Sequence, residues 1–580
     1  MDIKATPKPG IHRTQSKRLY YGILLFWLLI NLVQAFFTEL IHDEAYYYFY
    51  ATDLAWGYYD HPPMLALFIK LGSTIISGEL GVRLLVVLSS VAALILFMKI
   101  AEVKNYLLFF TVWFSILIVQ VGGFIAVPDV PLIFFSAVFF IAYRNYLKND
   151  SLKNILFVSL SVAALLYSKY TGILVIFFTV LSNLKLVKQK SFWLIFITSS
   201  VLMIPHLIWE IQHDFVTVHY HLGERAIGYY FRWQNITNYL SGQIGIMNPL
   251  IALFLLYFGM KYKPKNLMNK ALKYNAFGVL LVGLVMSFRG PVEANWTSTA
   301  IIPLMIIAYK GFSSRKKVVR SIYILGIISA LLVFTLRILL VVNYLPVENR
   351  YHVKVEFHDW DTWADDIHEI ARDKPVVFVN SYQKAAKYYF YGNKNVFTYN
   401  SIKYRLNQFD IAGIERELFG REVALFNNNK DIWVMDGLTF PIPVTDSIET
   451  GANGKMYYCT IPEYRTYNFL KIDFELPGNE FKPDSFIDIP VELINPFDEP
   501  FTIGTDSLGT FIAVTCYYRG NVISYQELED ISGVTIDKKY NTQLRAKVPE
   551  EQGKYYIRIV IRAGWLPPGH NSRARKIMVK

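Results

Sequence analysis

Four short segments carry side chains that could do chemistry together. In chain order they are His42-Asp43-Glu44, then Tyr58-Tyr59-Asp60-His61-Pro62-Pro63, then Pro128-Asp129-Val130-Pro131, and Arg289-Gly290-Pro291-Val292-Glu293-Ala294-Asn295-Trp296. Converging carboxylates can orient a hydroxyl, deprotonate it or hold a metal. One acid alone fits a solvated loop or a helix cap equally well. Here the acids recur just before or after long apolar runs, and that recurrence singles them out. A further polar stretch, about 211–237, holds His213, Asp214, His219, His221, Glu224 and Arg225. His219 and His221 stand two apart, which places them on one face of a strand but not of a helix. Zinc is one reading of that pair, although no His-Glu-x-x-His pattern accompanies it. In an extended chain Asp43 and Glu44 would point opposite ways, so only one would face a substrate.

The elements that must position these residues are apolar. Of 580 residues 53% are apolar and 18% charged, and the mean hydropathy is +0.29. That balance combines a membrane part with a soluble part. Candidate spans lie at about 19–38, 80–100, 105–121, 128–146, 154–168, 171–184, 192–210, 238–259, 274–288, 296–309 and 321–343. Pro62 and Pro63 suit the first turn of a helix lying along the interface. The net charge of +12 does not point to nucleic acid, because the basic residues gather between apolar runs. Lys185, Lys188 and Lys190, the Lys261–Lys273 cluster and Arg315-Lys316-Lys317 fall on one side. With Lys4, Lys8, Arg13, Lys17 and Arg18 ahead of the first run, the amino-terminus reads as cytoplasmic. The first run is long for a cleaved signal, so it reads as a retained helix. An odd number of spans, about eleven, then puts the carboxy-terminal region and all the acidic segments outside.

After Asn343 the pattern changes to that of soluble protein. Pro375–Asn380, Asn395–Tyr399 and Asp431–Met435 read as strands and Ser381–Tyr391 as a helix, a small α/β module. Phe486–Leu493, Phe511–Tyr518, Gln543–Val548 and Lys554–Arg562 alternate as strands of a β-sandwich do. The expected domains are 1–344 in the membrane, 345–460 as the α/β module and 461–580 as the sandwich. Both cysteines, Cys459 and Cys516, lie in the soluble part, where a bridge and two free thiols are both open readings.

The motifs taken together resemble those of the type-C glycosyltransferases that use polyprenyl-phosphate sugars, the group of the protein O-mannosyltransferases and the lipid A aminoarabinose transferase. Asp43-Glu44 after the first span resembles their Asp-Glu motif, and Tyr58–Met64 the aromatic-acid-basic-Pro-Pro segment of the bacterial branch. Val127-Pro128-Asp129-Val130-Pro131-Leu132 is similar to the second acidic motif, and Ser168-Lys169-Tyr170-Thr171-Gly172 to the lysine-glycine turn. Val292–Trp296 is similar to the late glutamate-asparagine-tryptophan motif, and Ser381–Ala386 to part of the outside module. The resemblance spans about residues 20–400. Where the aminoarabinose transferase has a lysine before Pro-Pro this chain has His61, and where it has an arginine after Asp-Glu this chain reads Ala45-Tyr46-Tyr47. Donor sugar and acceptor are therefore not carried over.

The resemblance implies a polytopic α-helical membrane enzyme with extracytoplasmic α/β and β-sandwich parts, in the cytoplasmic (inner) membrane. Its donor would be a polyprenyl-phosphate sugar and its acceptor an envelope glycan, lipid or protein. Inverting transfer to a hydroxyl makes Asp43 the first choice of base, whereas an acceptor phosphate, already ionised, would only be oriented by it; Glu44, Asp60 and Asp129 are further catalytic acids. Arg225, Lys169 and Arg289 would meet the leaving phosphate, His61 would assist, and Glu293 would bind substrate. No cofactor is fixed by the resemblance, and the acids leave a divalent metal open. A lipid or sugar transporter, or flippase, is the competing reading; it should carry its polar residues near mid-span. A scaffold displaying the sandwich is a third.

Overall fold

The computed structural model describes residues 9–344, 356–435, 438–441, 446–450, 454–505 and 508–580; Lys4 and Lys8 of the basic amino-terminus lie outside them. The chain forms two compact units: residues up to Asp214 with Phe231–Phe357, and Phe215–Tyr230 with His358–Lys580.

The first unit is helical. In hydrocarbon every backbone polar group must be bonded internally, so the apolar runs become helices. Four described helices are long and apolar enough to cross a bilayer: Lys17–Phe37, Gly78–Ala101, Leu267–Ser287 and Lys316–Val341. Two pairs pass the same test together, Lys190–Leu202 with Ile204–Gln212 bent by 43°, and Trp233–Met247 with Pro249–Lys261 bent by 98°. Length and composition thus give four crossing helices, or six if each bent pair is one span, where about eleven spans were expected. The other expected runs form shorter helices, including Tyr106–Ser115, Asp129–Tyr146, Leu152–Ser168, Gly172–Ser182 and Ser298–Phe312. The sharper bend has a local cause. Asn248 adopts φ +78° and Pro249, which has no N–H to donate, starts a new helix. Leu25, Phe26, Leu331 and Leu332 stay exposed, as on a lipid-facing surface.

Between the first two crossing helices lie His42–Thr52 and Met64–Ile75. Pro63 stands immediately before the second of these, as the Pro-Pro pair led us to expect. Gly72 and Gly81 allow Met64–Ile75 to fold back tightly on Gly78–Ala101. A Cβ on Gly72 would lie 2.2 Å from the Gly81 carbonyl oxygen, and one on Gly81 1.8 Å from that of Ile76.

In the second unit, the α/β part is a five-stranded sheet. Its spatial order is Val396–Tyr399, Val376–Val379, Val423–Asn427, Gly454–Ile461, Asp446–Thr450, the first three parallel and the last two antiparallel to their neighbours. The helix Tyr382–Tyr391 makes the crossover between the first two parallel strands. Trp360–Ala371 buries Trp360, Trp363, Ala364, Ile367 and Ala371, a spacing that makes one apolar stripe. The sandwich pairs a three-stranded sheet around Phe486–Ile494 with a five-stranded one centred on Thr510–Tyr518 and Gly553–Ala563. Ile487, Ile489, Val491 and Leu493 alternate inward from the first sheet onto Ile512, Val514, Ile557 and Ile559 of the second. Cys459 and Cys516 are both buried free thiols, and burial pushes each up to about 11.

Candidate active site

Asp43 and Glu44 are not in extended chain. They occupy the first turn of His42–Thr52, where carboxylates complement the partial positive charge of a helix start. Successive residues of a helix are turned by about 100°, and that rotation separates their fates. Glu44 has no exposed surface, while Asp43 is exposed. Arg83 grips Glu44 with a two-pronged ion pair, Nε to Oε1 at 2.7 Å and Nη2 to Oε2 at 2.6 Å. The same carboxylate accepts from the backbone N–H of Ile41 at 3.0 Å and of Ala126 at 2.7 Å. Arg83 also donates to the carbonyls of Ala35, Thr38 and Glu39 at 3.2, 2.6 and 2.8 Å. One buried pair therefore ties together the end of the first helix, the start of the Asp43 helix and the segment leading to Asp129.

Three motifs far apart in sequence meet on Asp129. Its carboxylate accepts from Lys169 Nζ at 2.8 Å, Ser298 Oγ at 2.8 Å and Asn295 Nδ2 at 3.1 Å. Pro128 and Pro131 frame the helix start that carries Asp129, and Lys169 caps the end of Leu152–Ser168. Gly172 is required after it, because a Cβ there would sit 2.7 Å from the Leu165 carbonyl oxygen. Lys169 is 8% exposed, so it is a buried partner rather than a lysine reaching for the membrane surface.

Asp60 is buried and accepts a hydrogen bond from the Tyr50 hydroxyl. Tyr50 is held well above its ordinary value, by burial first and by the charge of Asp60 second, so it stays a donor at neutral pH. Tyr50 stacks on Tyr58 with ring centres 4.3 Å apart, and His61 packs edge-on against Tyr47 at 5.5 Å. His206, in the helix Ile204–Gln212, lies 3.2 Å from the Tyr170 hydroxyl and 2.7 Å from the Trp56 carbonyl. Glu210 Oε1 accepts from the same tyrosine at 3.3 Å.

The remaining expected residues are placed differently. Arg289 and Glu293 are exposed, on either side of Gly290-Pro291. Arg225 stands half-buried in the short turn Glu224–Ala226 of the second unit. His219 and His221 lie in the helix Val216–Leu222, so the strand geometry that would have paired them is not adopted. Among the described residues no three His, Cys, Asp or Glu side chains come together as a metal set. Arg83, Ser298 and Tyr50 were not among the expected residues. A lone arginine inside an apolar run was the available signal for Arg83. Ser298 follows Asn295 by less than one turn, and nothing in the tyrosine-rich run marks out Tyr50.

Asp129 and Lys169 thus form a buried pair of opposite charges, while Asp43 presents an exposed carboxylate in the first turn of its own helix. Lys169 retains N–H donors beyond the one given to Asp129, enough to meet an oxyanion. Such a set can take a proton from a hydroxyl and stabilise a departing phosphate.

A sequence profile of the dolichyl-phosphate-mannose-protein mannosyltransferase family matches residues 60–209. The lipid A galacturonosyltransferase RgtD of Rhizobium johnstonii is 26% identical over 291 residues, 47% of this chain and 60% of RgtD. The chain thus spans about three fifths of the length of that relative. The crystal structure of ArnT from Cupriavidus metallidurans in the apo state superposes with TM-score 0.55 at 12% identity, covering 77% of this chain and 98% of ArnT. ArnT bound to undecaprenyl phosphate gives 0.57 at 12% identity over 76% and 98%. The fold is shared with ArnT, and the resemblance to the type-C glycosyltransferases read from the sequence is borne out.

Proposed function

We propose that this chain, a type-C glycosyltransferase by fold and resemblance, moves a sugar from a polyprenyl-phosphate carrier onto an envelope lipid, glycan or protein. The reaction takes place at the outer face of the cytoplasmic membrane and inverts the anomeric centre. The acceptor oxygen attacks C1 from the side opposite the carrier, its proton passes to Asp43, and the C1–O bond breaks with its electron pair leaving on the carrier phosphate. Lys169, aimed by Asp129, meets that phosphate; Arg289 is a further cation and His61 assists, and Arg225 is assigned to the donor phosphate on its chemistry alone. Asp60, held by Tyr50, orients the sugar, and Glu293 contacts substrate at the rim. Glu44 acts through position alone, holding the Asp43 turn against Ala126.

The observation that carries this reading is the meeting of three distant motifs on Asp129 while Asp43 stays exposed. The transporter reading is weaker because the buried charges sit near helix ends. Arg83 lies in the second turn of Gly78–Ala101, and Asp129 opens its helix. The test is product analysis by mass spectrometry after incubating purified protein with defined polyprenyl-phosphate sugars and envelope fractions. Sugar transferred to an envelope component is the expected result. Intact donor with every fraction would overturn the proposal.

A further inference from the structure

The soluble unit contains a stretch that, by sequence, belongs between two apolar runs. Phe215–Tyr230 connects the bent helix ending at Gln212 to the one starting at Trp233, yet it packs as part of the unit formed by His358–Lys580. Its attachments fall along its whole length. Near the start, the Tyr220 hydroxyl accepts from Arg405 Nη1 at 2.8 Å, and the guanidinium lies 5.2 Å from the Tyr220 ring and 4.5 Å from that of Tyr382. In the middle, Glu224 pairs with Arg558, a sandwich arginine with almost no exposed side chain. Ile227 packs against Ile402, Tyr517 and Val560. Towards the end, Gly228 and Gly520 pass so closely that a Cβ on Gly520 would come within 2.9 Å of the Gly228 Cα. Arg519 then covers the Tyr230 ring at 5.0 Å.

Arg558 is itself fixed from behind. His570 Nε2 lies 3.0 Å from the carbonyls of both Ser401 and Tyr404, so that nitrogen carries the proton. Nδ1 is then an acceptor, and Arg558 donates to it. Burial and the neighbouring arginine depress His570 to about 3, which keeps this tautomer neutral throughout the physiological range. The α/β module, the sandwich and the Glu224 turn are joined by one chain of directed hydrogen bonds. A surface loop resting on a sandwich would not need a buried arginine oriented by a buried histidine.

We propose that Arg558 is a positioning residue for the transfer reaction: the terminal β-sandwich, through Arg558 and Glu224, holds the Phe215–Tyr230 segment in the conformation that handles the lipid-phosphate donor. This rests on the function proposed above and adds a role for a domain to which that function assigned none. Arg225 is the neighbour of Glu224, so the clamp fixes its backbone directly.

The test uses full-length protein in lipid nanodiscs with undecaprenyl phosphate as the probe. Two variants disconnect the clamp from opposite sides: Arg558→Met within the sandwich, and Glu224→Gln on the segment, which leaves the sandwich core untouched. Each should weaken probe binding at least tenfold and speed amide exchange in 216–230 at least tenfold, with exchange in 486–494 and 553–563 unchanged. The double variant should be no worse than either single one, and Arg558→Lys should recover part of the binding. Probe affinity within twofold of wild type in both single variants would overturn the proposal. Arg225→Ala separates the premises: if it binds normally while Arg558→Met does not, the clamp stands and Arg225 loses its role. Wild-type protein without affinity for the probe would sink the donor class itself, and unchanged exchange in 216–230 would then sink the clamp as well.

Discussion

Removing the charge of Glu44 should be costly to the fold, and costly in a way that a second mutation partly repairs. Both members of the Glu44–Arg83 pair are fully buried. Breaking such a pair from one side leaves an uncompensated ion and typically costs about 3–5 kcal/mol, whereas replacing both members by neutral groups of similar volume is often nearly neutral. The surroundings favour the lower end for Glu44→Gln. The stranded guanidinium keeps the carbonyls of Ala35, Thr38 and Glu39, and the amide oxygen of glutamine still accepts one bond. We therefore expect about 3 kcal/mol, on the order of a hundredfold in the folding equilibrium. Arg83→Met should cost a similar amount, because the carboxylate keeps only the N–H groups of Ile41 and Ala126. In Glu44→Gln with Arg83→Met no buried charge remains, so the double variant should recover about 2 kcal/mol relative to the sum of the single losses. Chemical unfolding in detergent micelles, followed by tryptophan fluorescence, measures all three. A wild-type midpoint for Glu44→Gln, or strictly additive losses, would refute the anchoring argument.

Asp43→Asn should behave in the opposite way, keeping stability within about 0.5 kcal/mol while turnover falls on the order of 10²–10⁴-fold. Near-normal turnover would remove Asp43 as the base. Lys169→Met should strip Asp129 of its charged partner and cost about 3 kcal/mol or more, and Asp129→Asn in the same chain should return part of the loss; additive losses would show that the two do not act as a pair. Burial raises Asp410 to about 8 and Glu415 to about 7. Their folded forms hold protons that the unfolded chain releases near pH 4, so this contribution is complete below about pH 4 and is lost as pH rises to about 8. In Asp410→Asn, amide exchange of 376–379 and 423–427, corrected for the intrinsic rate, should depend less on pH between 5 and 8; an unchanged slope would refute the assignment. A reporter active only outside the cytoplasm should work after Lys580 and fail after Lys317, and the reverse would invert the orientation.

What the sequence revealed depended on whether the signal was local. The alternation at Phe486–Leu493 and the β-branched run ending at Asn380 located strands to within a residue or two, because period and composition act over a few neighbours. The four acidic segments were visible because charge beside an apolar run is rare. The partner of Glu44 was not, since a pair joining residues 44 and 83 leaves no trace in either segment alone. For the same reason the extended geometry expected at Asp43-Glu44 gave way to a helix start: Glu44 is bonded back to Ile41 and across to Ala126, contacts that only the folded chain supplies. Placing Phe215–Tyr230 with the soluble unit likewise needed residues more than three hundred positions away.

Cys459 sits in the α/β sheet and Cys516 at the centre of the sandwich, 2% and 0% exposed. A thiol must reach solvent and ionise before it can react with an alkylating reagent. Each cysteine is therefore a native clock for the opening of its own sheet, one per fold layer, with no label to introduce and no disulfide to reduce. Single replacement of either by alanine leaves the other to report alone, so the order in which the two sheets come apart can be timed by alkylation and peptide mass.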